Sequence, residues 1–328
     1  GFIKEIETPE SEFAGVLGDD FRFFPLKVTV DFAGRIYVIS RDVFDGIMQF
    51  EVDGQFTGFI GAPEVTPSAA DLFWKMFSTE EQRKRMSLFL PIEYNNIAMD
   101  KVGFILAVEA GNTNNTSIKR LNTSGKDVLN RNGFHPPVGD FRPVRRSVFA
   151  DITGRDFGGF SVLDEKNGRI FTYDSKSRLL YVFGGLGQGR GDLVTPVAVT
   201  EAGRDMIVLD SSSNSLTVFA ATDYALAIHR AIELYNDGYN SLSAEKWQDV
   251  LNRNVNYSLA YSGIGLNLLR QEKYEESMKM FKLGQDRTNY SKSFKHFRRE
   301  YIIENFNLII TLIIVLIIIT YIIIKLKN

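Results

Sequence analysis

Residues 28–42 read VTVDFAGRIYVISRD, and this stretch decides the fold of the first part of the chain. Two alternating apolar runs flank a short turn that contains Asp31 and Gly34. Alternation with period two is typical of strands with one buried face, and glycine supplies the positive φ that tight hairpin turns need. We therefore predict an antiparallel hairpin here, continued by the apolar run GIMQFEVDGQFTGFIG at residues 46–61.

The same pattern recurs along the chain. Further copies occupy residues 97–110 together with 117–129, residues 157–185, and residues 197–220. Repetition on this scale is the mark of an architecture built from one supersecondary unit. The sequence therefore predicts four antiparallel sheets of short strands within residues 1–221, a mainly-β region.

Composition narrows the classes of function. The chain has 328 residues, which allows more than one domain, and its formal net charge of −2 gives no broad basic field for nucleic acid. It contains no cysteine, so thiol catalysis, disulfides and cysteine–zinc sites are excluded. Its three histidines are scattered, which argues against a histidine-rich metal cluster.

A segment at residues 63–91 interrupts the repeats. It contains ADLFWKMF and STEEQRKRMSLFL, in which Thr79 and Gln82 have capping-box spacing. We expect a helical arm whose aromatic face packs on the sheets, ending at Pro91.

A second interruption, RNGFHPPVGDFRPVRR at residues 131–146, is rich in glycine and proline and reads as an irregular loop. One interpretation is a solvated connector. The other is a recognition loop for an anionic or sugar-like ligand, since rigid scaffolds carry their binding residues on loops. On that second interpretation the ligand-binding candidates are Arg131, Phe134, His135, Arg142 and Arg145.

After residue 221 the apolar period changes to about 3.6, which predicts helices over residues 222–300. The first has a cap at Thr222 or Asp223 and a stop at Gly238, and a second lies around residues 244–251. Residues 258–284 place large and small side chains at tetratricopeptide-repeat spacings. The alternative is an ordinary helical hairpin.

The C-terminal segment, residues 301–328, contains an uncharged run from Phe306 to Ile324. A helix of this length matches the hydrocarbon thickness of a bilayer, so we predict a transmembrane helix in contact with lipid. Four basic residues precede the run and two follow it, which by the positive-inside rule alone would place the preceding domains in the cytoplasm. A signal sequence ahead of these residues would override that count.

The repeats resemble NHL-repeat propellers, whose blades open with proline and an apolar strand, followed by an acidic residue, glycine and a second strand. The first copy matches best and the third copy is degenerate. The matching residues are Pro25, Asp31, Gly34, Ile36, Tyr37 and Val38, then Pro91, Asp100, Gly103, Ile105 and Ala107, then Pro196, Val199, Gly203, Ile207, Val208 and Asp210. The resemblance implies an incomplete NHL-type β-propeller, because complete ones commonly have six blades. An open ring is expected to expose an apolar face and to be less stable than a closed one.

The whole chain resembles a group of bacterial membrane proteins that join a secreted NHL propeller to tetratricopeptide-like helices and a membrane span, often followed by a Yip-class domain. The segments that carry this resemblance are FRFFPLKVTVDFAGRIYV, FWKMFSTEEQRKRM, RNGFHPPVGD and FKHFRREYI. It implies an extracytoplasmic propeller on a bacterial cell membrane and a chain that is a fragment at both ends. Such genes are often found beside carbohydrate importers.

The expected function is a membrane-anchored binding or scaffold protein, without a cofactor, that recognises a carbohydrate or a protein partner near a transporter. The alternative is a gluconolactonase-like hydrolase with Ca²⁺ or another divalent cation held by oxygen ligands in the central channel. Its metal candidates by residue type are Glu93, Asn95, Asn96, Asp164 and Asp210. The two aspartates equally suit turns at strand ends, and no constellation with a placed catalytic base can be read.

Overall fold

The computed structural model describes residues 5–6, 9, 22–41, 43, 45–62, 93–109, 117–129 and 147–327. The chain divides into two compact units, Gly1–Ala221 and Thr222–Asn328, each of which is described by itself. The predicted arm at residues 63–91 lies outside the described residues. The described part contains fourteen strands and six helices, so the architecture is mixed rather than mainly β.

The described residues of the first unit form four antiparallel sheets in which each strand pairs with the next along the chain. Sheet 1 contains β1 (Pro25–Val30), β2 (Ile36–Ser40), β3 (Ile47–Phe50) and β4 (Phe56–Ile60). Sheet 2 contains β5 (Tyr94–Met99), β6 (Ile105–Glu109) and β7 (Ile118–Leu121). Sheet 3 contains β8 (Phe149–Gly154), β9 (Phe160–Asp164), β10 (Arg169–Tyr173) and β11 (Leu179–Phe183). Sheet 4 contains β12 (Pro196–Ala202), β13 (Asp205–Asp210) and β14 (Ser215–Phe219).

Neighbouring sheets lie closest to one another along their first strands, β1 to β5, β5 to β8, and β8 to β12. Apolar side chains fill each junction between sheets. Tyr37 and Ile97 share the cluster between sheets 1 and 2, Leu106 and Val162 that between sheets 2 and 3, and Leu163 and Val208 that between sheets 3 and 4. The sheets therefore follow one another around the line of their first strands, as blades do, and the strands that the structure describes do not close into a ring.

The two end sheets of this open arc expose apolar side chains. Val28 and Val30 on β1 are 63% and 51% exposed, whereas Ile97 at the corresponding place in sheet 2 is buried against sheet 1. Leu216 and Val218 on β14 are 65% and 58% exposed at the other end. The expected exposed apolar face of an open ring is therefore present at both ends of the arc.

The acidic-glycine turns act as predicted. Oδ1 of Asp31 accepts hydrogen bonds from the backbone amides of Ala33 and Arg35, both at 2.9 Å, and Gly34 adopts φ +85°. The side-chain oxygen thus closes the turn while glycine takes the left-handed conformation. The same pair of bonds recurs at Asp100, Asn122 and Asp174.

Ser177 occupies the left-handed position of the Asp174 turn, where the Asp31 turn has glycine. Its φ is +65°, it is fully buried, and its hydroxyl has no hydrogen-bond partner within the described structure. Because both the backbone conformation and the unpaired hydroxyl cost free energy, we expect Ser177→Gly to raise the free energy of unfolding by about 1 kcal/mol.

Thermal or denaturant unfolding measures this gain. Asn214→Gly is the matched control, since Asn214 has φ +49° but is exposed, and asparagine tolerates that conformation. The control should change stability by less than about 0.5 kcal/mol. Equal effects of the two substitutions would show that the buried hydroxyl contributes nothing.

The second unit is helical. It contains α1 (Asp223–Asn236), α2 (Asn240–Arg253), α3 (Ser258–Arg270), α4 (Tyr274–Leu283), α5 (Arg287–Glu304) and α6 (Phe306–Lys327). From α1 to α5, each helix packs against the next. Thr222 caps α1 by accepting a bond from the Ala225 amide at 3.2 Å, and α2 begins at Asn240, four residues earlier than predicted.

Small residues bring α3 and α4 close together. A Cβ at Gly265 would lie 2.7 Å from the ring of Phe281, so no larger residue fits without movement. This is the small–large packing that residues 258–284 predict, and it fits any tightly packed helical hairpin as well as a tetratricopeptide repeat.

The last helix is long and apolar enough to cross a membrane over Phe306–Leu326, and its side chains are not buried by the rest of the chain. Phe306 and Ile324 both lie in this exposed span. Thr311 and Thr320 donate their hydroxyls to the carbonyls four residues earlier, each at 2.7 Å, so both hydroxyls are satisfied within the helix.

Candidate functional site

The first strands of the four sheets share one irregularity. Each shifts register near its start, at Pro25/Lys27, Tyr94/Asn96, Phe149/Asp151 and Pro196/Ala198. Such a bulge re-aims the side chain that follows it. The residues after the four bulges are thus equivalent positions on four neighbouring strands, and three of them are polar.

These three residues, Lys27, Asn96 and Asp151, form what we call the axial cluster. Asp151 is its centre: Oδ1 accepts from the Ile152 amide at 2.8 Å, and Oδ2 accepts from the Val199 amide of β12 at 2.7 Å. The side chain of Asn96 on β5 and the charge of Lys27 on β1 both favour the ionised form of Asp151. The cluster therefore draws on all four sheets.

Burial raises the pKa of Asp151 above the usual range of an aspartate. The hydrogen bonds from Val199, Ile152 and Asn96 and the charge of Lys27 lower the pKa, but they do not fully offset the loss of solvation. A carboxylate held in this way is a strong hydrogen-bond acceptor beside an amide and an ammonium donor. The cluster therefore combines hydrogen-bond donors and acceptors in one place.

Hydrogen bonds between neighbouring sheets hold the backbone around the axial cluster. The side-chain amide of Asn95 donates to the Phe149 carbonyl at 2.6 Å and links sheet 2 to sheet 3. The Asp151–Val199 bond links sheet 3 to sheet 4. Polar groups fixed by such contacts are pre-organised for recognition.

The residues proposed as metal ligands do not form one group in the structure. Asn96 belongs to the axial cluster, Asn95 links two sheets, and Glu93 directly precedes β5. Asp164 accepts bonds from the amides of Val148 and Lys166. Within the described part of the chain, no group of three or more His, Asp or Glu side chains could hold a metal ion.

Asp210 hydrogen-bonds the backbone that leads into the first strand of sheet 4. Its carboxylate accepts from the amides of Val194, Thr195, Ser212 and Ser213 at 2.6–3.1 Å. Burial alone would raise the pKa of Asp210, but the hydrogen bonds from the amides of Val194, Ser213 and Thr195 and from the Ser213 side chain outweigh burial and lower the pKa to about 2. The turn-forming role that the sequence offered for this residue is the one its contacts support.

We expect Asp210→Asn to lower the free energy of unfolding by about 1–3 kcal/mol at neutral pH, because an amide group leaves buried backbone donors unpaired. Since the native pKa is depressed, this contribution is complete above the ordinary aspartate pKa of 3.8 and is lost as the pH falls toward about 2. Unfolding curves of wild type and variant at pH 7 and pH 3 measure it. A difference that stays constant or grows on acidification would contradict the assignment.

The recognition-loop candidates Arg131, Phe134, His135, Arg142 and Arg145 lie outside the described residues. The structure describes the glycine-rich loop at residues 184–192. The side chain of Asp192, within this loop, folds back onto the loop backbone. Oδ2 of Asp192 accepts from the Gly189 amide at 2.8 Å and would lie 2.1 Å from a Cβ on Gly187. The glycine-rich composition could suggest a phosphate-binding loop, but the Gly189 amide is already bonded to the Asp192 carboxylate.

The sequence pointed to one member of the axial cluster and missed two. Lys27 looks like an ordinary solvated strand residue, and Asp151 lies in a strand that the repeat pattern did not identify. The signal that could have found them is positional. Each follows the first strand residue by two, as Asn96 follows Tyr94.

No protein-family model matches the chain, and no curated protein matches it. Solved structures with a similar arrangement are β-propeller-like proteins. Virginiamycin B lyase from Staphylococcus aureus is 15% identical, covering 62% of this chain and 57% of the lyase, with a TM-score of 0.36. This chain therefore spans less than two thirds of the length of that relative.

Two further neighbours differ in kind from the first. A gluconolactonase from Xanthomonas campestris is 15% identical over 65% of this chain and 66% of its own, with a TM-score of 0.40. BamB from Moraxella catarrhalis is 9% identical over 59% and 42%, with a TM-score of 0.30. This level of similarity does not indicate an activity for the chain.

Proposed function

We propose that this chain is a membrane-anchored binding protein, in which the sheets recognise a ligand at the axial cluster and α6 holds the protein in the bilayer. The observation that carries the proposal is the alignment of Lys27, Asn96 and Asp151 on neighbouring first strands. A span in which no apolar side chain is buried supports the anchor. The proposed location is a bacterial cell membrane, with the sheets outside the cytoplasm.

The chemistry of the cluster favours a polyhydroxylated ligand, so we propose a carbohydrate. Lys27 offers donors, Asp151 offers acceptors, and Asn96 offers both. A sugar hydroxyl likewise donates and accepts. Both Asp151 oxygens are already fixed by backbone amides, which suits orientation of a ligand more than proton transfer to it.

Calorimetric titration of the full chain in detergent with D-glucose and N-acetylglucosamine tests the proposal. We expect saturable binding of at least one sugar, weakened about tenfold or more by Asp151→Asn. Lys27→Gln serves as a second variant that leaves the backbone bonds of Asp151 intact. Asp210→Asn is the matched control, a buried aspartate outside the cluster, and should leave affinity unchanged.

Absence of binding to both sugars, or equal affinities of wild type and both cluster variants, would overturn the carbohydrate proposal. The hydrolase alternative has its own readout. If the protein hydrolyses D-glucono-1,5-lactone only with added Ca²⁺, the proposed binding function is replaced by the hydrolase function. A partner protein as ligand would leave the sugar titrations flat while cross-linking to α1–α4 or the sheets persists in membranes.

A further inference from the structure

We propose that α5 carries an anionic-lipid docking face, and that its basic side chains bind the headgroups of the same bilayer that α6 spans. This inference deepens the proposed membrane anchor and rests on it. The lipid-docking face consists of Lys292, Lys295, Arg298 and Arg299, all exposed. They occupy the helix that immediately precedes the span.

Helical periodicity gathers these cations on one face. Lys292 and Arg298 lie three residues before and after Lys295, and Arg299 lies four residues after it, so all three are its neighbours on the helix surface. Like charges at these spacings repel one another. Within the described residues, none of the four forms a salt bridge. The helix therefore holds a repulsive cluster that an external anion would relieve.

The opposite face of α5 is used for packing. Ser293 is fully buried and accepts a hydrogen bond from the Ser277 hydroxyl of α4 at 2.9 Å, and the His296 ring stacks on Tyr274 with centroids 5.3 Å apart. The acidic residues Glu300 and Glu304 follow Ser293 by 7 and 11 residues, which places them on its side of the helix. The charges of α5 are thus segregated between two faces, and an anionic surface would attract one and repel the other.

Continuity with the span brings the docking face near the headgroups. Asn305 joins the two helices: its amide donates to the Tyr301 carbonyl at 3.1 Å, and its carbonyl accepts from the Ile309 amide at 3.0 Å. Arg299 and Arg298 precede Phe306 by 7 and 8 residues, or about 10–12 Å along a helix. Long side chains shorten that gap to within about one screening length of the surface, roughly 8–10 Å at physiological salt.

The basic side chains of the sheet unit are weaker candidates for an anion-binding surface. Several bases of the sheet unit are paired with carboxylates, as Arg35 is with Asp31 and Arg178 with Asp174. The unpaired cations of α5 instead lie beside an apolar span, so a lipid surface is the anion that the chain itself places within reach. Each cation close to such a surface is attracted to acidic headgroups.

The test uses the full chain with Ile302→Cys, an exposed position three and four residues after Arg299 and Arg298, in a protein that has no other cysteine. The thiol carries a fluorophore, and the protein is reconstituted into vesicles of phosphatidylcholine alone or of an equal mixture with phosphatidylglycerol. Nitroxide-headgroup lipid reports proximity by quenching. We expect about twofold or more quenching in the anionic vesicles, abolished in about 1 M salt, where screening acts within about 3 Å.

Two paired substitutions make the result specific. Arg298→Gln with Arg299→Gln should remove the lipid-dependent quenching, whereas Arg253→Gln with Lys282→Gln, exposed bases elsewhere in the helical unit, should leave it intact. Equal quenching in the two kinds of vesicle, or equal loss in both pairs, overturns the docking face. Failure of the protein to float with phosphatidylcholine vesicles would instead overturn the membrane anchor, so the two failures are distinguishable.

Discussion

Replacing Leu316 and Ile317 by arginine together is expected to release the protein from membranes. Both lie at the centre of the span Phe306–Leu326, with exposed side chains. An arginine at the centre of a transmembrane helix costs about 2.5–3.5 kcal/mol on insertion scales, so two cost roughly 5–7 kcal/mol. Extraction of membranes with alkaline carbonate should leave wild type in the pellet and move the variant to the supernatant.

The matched control places two arginines near the ends of the span, as Ile302→Arg with Leu326→Arg. Long basic side chains there can reach the headgroups, so integration should persist. If the central pair also stays in the pellet, insertion of the apolar centre of α6 is not what holds the protein in the membrane. If the variant with the terminal pair is extracted as readily, the added charge and not its depth in the bilayer determines extraction.

Removing the Glu201 carboxylate should destabilise the sheet unit more than any other single substitution proposed for it. Arg155, at the end of β8, is 2% exposed, and its Nε lies 2.7 Å from Oε1 of Glu201 on β12. Oε2 of Glu201 accepts from the Asp156 amide at 2.6 Å. Glu201→Ala therefore leaves a buried guanidinium and a backbone donor without their partner, at a cost of about 3–5 kcal/mol.

Chemical or thermal unfolding measures this loss. Glu165→Ala is the control, because its salt bridge with Lys166 is exposed and should contribute less than about 1 kcal/mol. A double variant, Arg155→Met with Glu201→Leu, removes both charges and should recover much of the stability. A cost of Glu201→Ala no larger than that of the control would mean that the pair does not join sheets 3 and 4.

The same pair explains why one strand was missed. In sheets 1 and 2 the turn after the first strand starts with Asp31 or Asp100, and the sequence shows it plainly. In sheet 3 the corresponding residue is Arg155, and the carboxylate comes from Glu201 of the next sheet. Because a partner from another repeat cannot be read from local sequence, the third copy was predicted to begin at residue 157, and β8 was overlooked.

The elements with local signals were predictable. The hairpins of sheet 1 follow from alternation and the Asp31 turn, α1 from its Thr222 cap, and α6 from its uncharged length. The candidate site was not, because it depends on register. Asp164 and Asp210 share a residue type with Asp151, but only strand pairing shows that they cap strand entries while Asp151 belongs to the axial cluster.

The most direct test of the central claim compares two distances across the arc of sheets. The cysteine-free chain allows nitroxide pairs on the first strands of sheets 1 and 4, at Val28 and Thr200, and on their last strands, at Thr57 and Val218, all of them exposed. If the sheets follow one another around their first strands, pulsed electron resonance will give a clearly shorter distance for the inner pair than for the outer pair. An inner distance equal to or longer than the outer one would contradict a radial arrangement and remove the basis for the axial cluster.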